Sequence, residues 1–331
     1  MAGMPDIEVR GLSKVFRVPE KDPGLGGAVK ALFHRRFRDV PAVTGVTFDV
    51  AEGELVGFLG ENGAGKTTTL KMLSGLLHPT GGTASVLGFE PWKRKPAFQR
   101  NFSLVMGHRS QLWWEIPAQE TFRLNQEIYE IPETEYRRNV DELVELLDLK
   151  DCLSVPVKKL SLGQRMKAEL AAAILHRPKL LLLDEPTIGL DVVMQKKVRQ
   201  FILEYNRRYK ATILLTSHNM DDVSELCKRV LIIEQGRLLY DGSLRQVVER
   251  YAPNKVMRVD FSRDVAPADL ERVGQVLESR GPFAVLEVPR QSVSARAADL
   301  LARFPVVDLT IEETPVNEVV RRLFSSRGDG K

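Results

Sequence analysis

Cysteine is scarce: Cys152 and Cys227 are the only two in 331 residues, far apart, in no CxxC spacing and with no histidine cluster nearby. A zinc site and a disulfide framework are therefore not expected, and a reducing cytosol fits this usage. No apolar stretch approaches the roughly 18 residues needed to cross a bilayer. The opening MAGMPDIEVR is acidic and polar where a secretory signal would carry a basic flank and an apolar run. Neither a span nor secretion is expected, so any membrane role has to come through docking on another polypeptide or lying on the surface. Charge of one sign is missing too, since 48 Lys+Arg against 44 Asp+Glu leave only +4, weak grounds for nucleic-acid binding. Repeats and low-complexity tracts are absent. What is present is length for two ordinary domains and 43% hydrophobic residues, enough to bury a core and to exclude disorder and collagen.

Residues 54–59 form a near-continuous apolar run of the kind a buried parallel strand shows, followed by a glycine-rich turn and a helix from Lys66 to about Leu77. KLLLLD over 179–184 and TILLT over 212–216 read as further buried strands. The fold class is α/β, a mononucleotide-binding sheet. From about 88 to 165 the pattern turns helical, with helices over 119–129 and 134–147 and with Val140, Val144 and Leu147 on one stripe. A short helix over 243–249 leads to Ala252-Pro253-Asn254, whose turn chemistry marks a boundary. Beyond it, strands over 256–261, 283–288 and 306–311 alternate with helices over 268–279, 295–304 and 316–324. That tail reads as a small α/β domain, with a ferredoxin-like arrangement open to it. The division expected is therefore 1–250 and 251–331.

Gly60-Glu61-Asn62-Gly63-Ala64-Gly65-Lys66-Thr67 fits GxxxxGK[ST] and sits between a buried strand and a helix, the context a phosphate loop requires. Its glycines let successive N–H groups converge on phosphate oxygens at the positive end of the helix. Lys66 would neutralise the β- and γ-phosphates, the Thr67 hydroxyl would ligate Mg²⁺, and Thr68 follows them at the nucleotide. LLLLDE supplies the complementary carboxylates: Asp184 to hold the metal shell and Glu185 to orient and deprotonate the attacking water.

Leu160-Ser161-Leu162-Gly163-Gln164 resembles the LSGGQ signature of the ABC transporter nucleotide-binding domains, with Leu162 in place of the first glycine. The resemblance covers roughly residues 5 to 245, with the motifs in the family's order. It implies a P-loop NTPase sheet domain of ABC type with an N-terminal antiparallel β part, a helical insertion, and ATP and Mg²⁺ as ligands. It also implies that Ser161, Leu162, Gly163 and Gln164 meet the γ-phosphate held by an opposite subunit, where a serine-capped helix N-terminus suits an anion. Ile188-Gly189-Leu190-Asp191 resembles the D-loop, and Thr216-Ser217-His218 resembles the strand end that carries the switch histidine. Phe16 is similar to the aromatic that stacks on adenine, with Phe37 as rival and core packing as the default for either. At the Q-loop position the chain departs from the family: Gln111 is the nearest glutamine, as metal contact, and His108 is the alternative occupant. Trp113-Trp114 either faces a membrane subunit or packs the helical insertion.

A single nucleotide-binding domain with a C-terminal tail resembles the ATPase subunits of type-2 exporters of drugs, antibiotics and polysaccharides. Thr314-Pro315-Val316-Asn317-Glu318-Val319-Val320 is similar to the ends of such subunits. The extra insertion over 18–39 places Val29, Leu32, Phe33 and Phe37 on one helical face among Lys30, Arg35, Arg36 and Arg38, suited to lipid or to a membrane partner, or else a solvated surface helix. The resemblance thus implies an ATPase that pairs head to tail as a homodimer or pseudo-dimer, works with separately encoded permease subunits at the cytoplasmic face of the membrane, and binds no nucleic acid. A soluble ABC ATPase acting on ribosomes or nucleic acid, and the ATPase subunit of an importer, are the alternatives.

Overall fold

The structure, a computed structural model, describes residues 4–19, 37–107, 110–217 and 219–313. Chain contacts divide it into two units, Met1–Asp241 and Gly242–Lys331. In the first, β1 (Ile7–Pro19) and β2 (Phe37–Val50) precede β3 (Leu55–Leu59), the phosphate loop and helix α1 (Lys66–Leu73). After β4 (Gly81–Val86) come a four-residue helix α2 (Pro96–Gln99), β5 (Phe102–Met106) and the helices α3 (Ala118–Ile128), α4 (Glu133–Leu147) and α5 (Leu162–Ile174). β6 (Leu180–Asp184), α6 (Val192–Tyr209), β7 (Thr212–Thr216), α7 (Met220–Leu226), β8 (Arg229–Glu234) and β9 (Arg237–Ser243) follow.

The apolar runs assemble a six-stranded sheet in the order β5-β6-β7-β3-β8-β9, with β5 through β8 paired in parallel. Such strands are covered on both faces, which is why LLLLD and TILLT show no alternation and are buried throughout. A second, antiparallel sheet has the order β2-β1-β4. Its inward residues Ile7, Val9, Val46 and Phe48 share one core with Leu70, Met72 and Leu73 of α1 and with Phe58, Leu182 and Leu214 of the large sheet. The helix behind the phosphate loop is thereby fixed by two sheets, and full burial of a side chain such as Phe58 stabilises by about 1.5–3 kcal/mol.

Three expectations shift here. The helix expected to reach Leu77 stops at Leu73, because Gly75 leaves helical backbone at φ +72° and lies so close to Pro91 that a Cβ would meet its carbonyl oxygen at 2.2 Å. On α4 the buried stripe is Tyr136, Asn139, Leu143 and Leu147, with Val140 and Val144 only half-buried. Asn139 turns inward because its amide donates to the Leu175 carbonyl at 2.9 Å, so a polar residue takes an apolar place. Phe37, assigned to a basic helix, lies on β2 opposite Pro19; Val29, Leu32, Phe33 and the rest of 20–36 lie outside the described residues.

In the second unit α8 (Leu244–Tyr251) precedes β10 (Asn254–Phe261), the four-residue α9 (Pro267–Leu270), β11 (Gln275–Arg280), β12 (Phe283–Pro289), α10 (Val293–Arg303) and β13 (Val306–Glu313). The antiparallel sheet order β11-β12-β10-β13, with its β-α-β-β-α-β succession, is the ferredoxin-like arrangement. Met257, Val259, Leu286, Val288, Ala297 and Leu300 form its core. The helix expected over 268–279 is corrected: only Pro267–Leu270 is helical and β11 takes the remainder. Gly274 decides this, since a Cβ there would stand 2.6 Å from the Glu287 carbonyl oxygen and only glycine allows β11 to enter beside β12. The helix expected over 316–324 lies outside the described residues.

Candidate nucleotide site

The loop 60–65 is shaped by close backbone contacts that side chains would forbid. A Cβ at Gly60 would lie 2.3 Å from the Ile233 oxygen; at Gly65, which has φ +110°, it would lie 2.6 Å from the Ala42 oxygen. Ala64 is buried and its carbonyl accepts from Gly236 N–H at 2.9 Å, which ties the loop to the turn after β8. Ala64 N–H in turn donates to the Glu61 carbonyl at 3.1 Å. The result is a cavity of about 430 Å³ lined by Asn62, Gly63, Gly65, Lys66, Thr67 and Thr68 on one side and by Asp184, Glu185 and Ile188 on the other. Its size falls within the range of small-ligand sites.

Lys66 is buried, and its ammonium donates to the carbonyls of Gly60 at 2.7 Å and Glu61 at 3.0 Å. Burial pulls its pKa below the ordinary lysine value, against the opposing pull of the Glu185 and Asp184 charges. The Thr67 hydroxyl donates to Asp184 Oδ2 at 2.8 Å and that of Thr216 donates to Oδ1 at 2.6 Å. Asp184 is thereby held in one orientation although β7 lies between β6 and β3 in the sheet. Glu185, the next residue, has left-handed backbone with φ +54°. Thr67 and Asp184 offer hard oxygen donors beside the cavity, the donor set that suits Mg²⁺.

Other sequence-derived candidates are placed around this cavity or away from it. Ser161 caps α5 in a reciprocal box: Gln164 N–H donates to Ser161 Oγ at 3.2 Å and Ser161 N–H to Gln164 Oε1 at 3.0 Å. Leu162 is partly exposed and packs toward Gly189, where a Cβ would come 3.0 Å from Leu162 Cδ2. A Cβ on Gly163 would likewise meet Met194 at 3.0 Å. Asp191 caps α6, accepting from Met194 N–H at 2.9 Å. The Gln111 amide is turned back onto the Leu104 carbonyl and is not among the residues lining the cavity. Its backbone N–H, with the Ser110 hydroxyl, is held by the buried carboxylate of Glu169 on α5.

Phe16 and Phe37 are both exposed on paired strands, Phe16 opposite Val40 and beneath the Lys14 ammonium at 5.4 Å. Trp113 and Trp114 are exposed rather than packed inside the insertion, with Arg165 over the Trp114 ring at 5.6 Å. His108 and His218 lie outside the described residues. Sequence reasoning gave no separate role to Thr216, which orients Asp184, or to Gly107, whose N–H donates to the Asp184 carbonyl at 2.8 Å. A Cβ on Gly107 would stand 2.3 Å from the Glu185 oxygen. The available signals were a hydroxyl residue ending one buried strand and a glycine just past another.

A phosphate loop wrapped around a helix start, answered by carboxylates from another strand of a parallel sheet, defines a P-loop nucleotide-binding protein. The chain belongs to the ABC transporter family, whose ATP-binding domain matches residues 43–188. Residues 253–312 match the C-terminal domain of EvrA-like ABC transporters. It is similar to the ABC transporter ATP-binding protein NatA of Bacillus subtilis, 36% identical over 219 residues that span 65% of this chain and 89% of the relative. Similarity to the Nod factor export ATP-binding protein I of Burkholderia thailandensis reaches 35% over 254 residues, 76% of this chain and 79% of the relative. The methionine import ATP-binding protein MetN of Geobacillus kaustophilus is 33% identical over 286 residues, 86% of this chain and 79% of its own. Among solved structures, an ATP-binding subunit of an ABC transporter superposes with TM-score 0.61 at 27% identity, covering 74% of this chain and 92% of its own. As a family member the chain is an ATP-binding, ATP-hydrolysing subunit of an ABC transporter. No helix among the described residues is long and apolar enough to cross a membrane.

Proposed function

We propose that the chain powers export through separately encoded permease subunits at the cytoplasmic face of the membrane, by ATP-driven head-to-tail pairing of two copies. The observation that carries the hydrolytic part is the joint cradle: Lys66 and Thr67 from the phosphate loop and the Asp184–Glu185 pair line one cavity. Lys66 neutralises phosphate charge, and the loop N–H groups with Thr68 orient the nucleotide. Thr67 and Asp184 would hold Mg²⁺, whose chemistry would be to neutralise charge developing on the phosphates. Glu185 aligns the attacking water and accepts its proton. The capped N-terminus of α5, carrying Ser161 to Gln164, presents donors to the γ-phosphate bound by the other copy, and Asp191 lies in the adjoining turn. His218 completes the set as a γ-phosphate contact and Phe16 stacks on adenine, while the Gln111 amide, engaged by the Leu104 carbonyl, leaves the metal-contact position to His108.

Binding closes the pair and hydrolysis releases it, so the motion can be passed to the permeases. The exporter reading is supported by likeness to a Nod factor export subunit. Likeness to MetN over 86% of this chain favours an importer as the second reading.

The test is purification of the Glu185→Gln chain from detergent-solubilised native membranes with ATP. A polytopic protein in stoichiometric association is expected, and its topology separates exporter from importer. Ribosomal protein or nucleic acid in its place would overturn the transporter reading for this chain.

A further inference from the structure

The left-handed backbone of Glu185 is one that residues other than glycine rarely adopt, and it persists only where surrounding bonds over-determine it. Two attachments do so. On one side, Glu185 N–H donates to the Thr216 carbonyl at 3.0 Å and to its hydroxyl at 3.2 Å. Two residues on, the Thr187 hydroxyl donates to the carboxylate of Asp222 on α7.

Asp222 is wholly buried, and its remaining contacts come from separate elements. Ser217, after β7, donates to Oδ2 at 2.9 Å; Arg199 of α6 donates to Oδ1 at 2.9 Å and reaches Glu225 at 2.7 Å. A carboxylate tolerates a dry site only when paired and fully hydrogen-bonded. Arg199 supplies the counter-charge, and the two hydroxyls occupy further lone pairs. The turns after β6 and β7 and the helices α6 and α7 therefore meet at one charged junction. Neither Thr187 nor Asp222 lines the nucleotide cavity.

We propose that Asp222, acting through Thr187, is a positioning residue for ATP hydrolysis: it anchors the turn that keeps Glu185 in its left-handed conformation and so aims the carboxylate at the attacking water. The inference rests on Glu185 being the base and extends that assignment by locating the cause of its aim outside the nucleotide cavity. A junction that only held helices together would change melting temperature and leave turnover alone. A positioning junction changes kcat and spares nucleotide affinity, because Thr187, Arg199, Ser217 and Asp222 are not among the residues lining the nucleotide cavity.

The experiment compares full-length Thr187→Val, which keeps shape and loses the donor, with Thr187→Ser, which keeps the donor, by kcat, KM for ATP and melting temperature. Thr187→Val is expected to lower kcat roughly tenfold or more with KM within about twofold, and Thr187→Ser to restore kcat to within about twofold of wild type. A folded Thr187→Val with wild-type kcat, or a Thr187→Ser as slow as the valine variant, overturns the proposal. Glu185→Gln in the same assay separates the two possible failures. A wild-type rate in that variant overturns the base assignment itself, whereas a slow Glu185→Gln beside a fast Thr187→Val overturns the junction alone.

Discussion

The hydroxyl of Thr67 donates to Asp184 across 2.8 Å, joining the first turn of α1 to the end of a strand two positions away in the sheet. With Thr216 on the other oxygen at 2.6 Å, Asp184 faces the cavity in one orientation set by two hydroxyls. Thr216→Val keeps the shape and removes one of them. The apparent affinity for Mg²⁺ in ATP hydrolysis is expected to fall roughly tenfold, the usual scale for loss of a residue that orients a metal ligand. A magnesium titration with unchanged half-saturation would remove that role from Thr216.

Among the described residues, Lys66 is the one buried cation lining the cavity. Replacing it with alanine removes a charged donor whose hydrogen bonds contribute about 1.5–3 kcal/mol, so ATP binding should weaken roughly ten- to a hundredfold. Titration calorimetry measures this directly, and undiminished affinity would sink the phosphate-loop assignment.

Glu185→Gln retains size and hydrogen bonding and loses basicity. Turnover should drop by roughly 10²–10⁴, the contribution of a positioned general base, with ATP affinity nearly unchanged. Single-turnover hydrolysis beside equilibrium binding separates the two quantities, and equal losses in both would argue for a binding role.

His176 stacks on Tyr129 with ring centroids 3.7 Å apart, and burial pulls its pKa down from 6.5 to about 4. The unfolded chain therefore takes up a proton in a pH range where the folded chain does not. Stability should be complete above pH ~6.5 and decline as pH falls toward ~4, by about 3 kcal/mol at most from this group. Urea unfolding at pH 7 and pH 4.5 checks it, with His176→Leu expected to flatten part of the slope. An identical pH dependence in both chains would rule the histidine out.

The phosphate loop and the LLLLDE strand are legible because their physics is local: glycines where backbone approaches backbone, and an uninterrupted apolar run where both sheet faces are covered. The helices of the insertion are legible for a similar reason, within a residue or so at each end. β11 is not, because Val276 and Leu277 suit either a helix or a strand, and the choice falls to a contact between Gly274 and Glu287. Asn139 misleads in the same way, since the carbonyl it serves belongs to Leu175 on another element. The junction of Thr187, Arg199, Ser217 and Asp222 has no linear signature at all, as its four members are brought together only by the sheet order. The capping of α5 by Ser161 and Gln164, by contrast, is written in a four-residue stretch.

The backbone at Glu185 also bears on how this position can evolve. A left-handed conformation costs glutamate about 1 kcal/mol that glycine does not incur. Glu185→Gly is therefore expected to unfold at a higher denaturant concentration than Glu185→Gln, by up to about 1 kcal/mol, while hydrolysing no faster. Mutation toward a sturdier fold and mutation toward a dead enzyme coincide at this residue. Only continued demand for turnover would keep a carboxylate there, and a copy freed from that demand would be expected to lose it early.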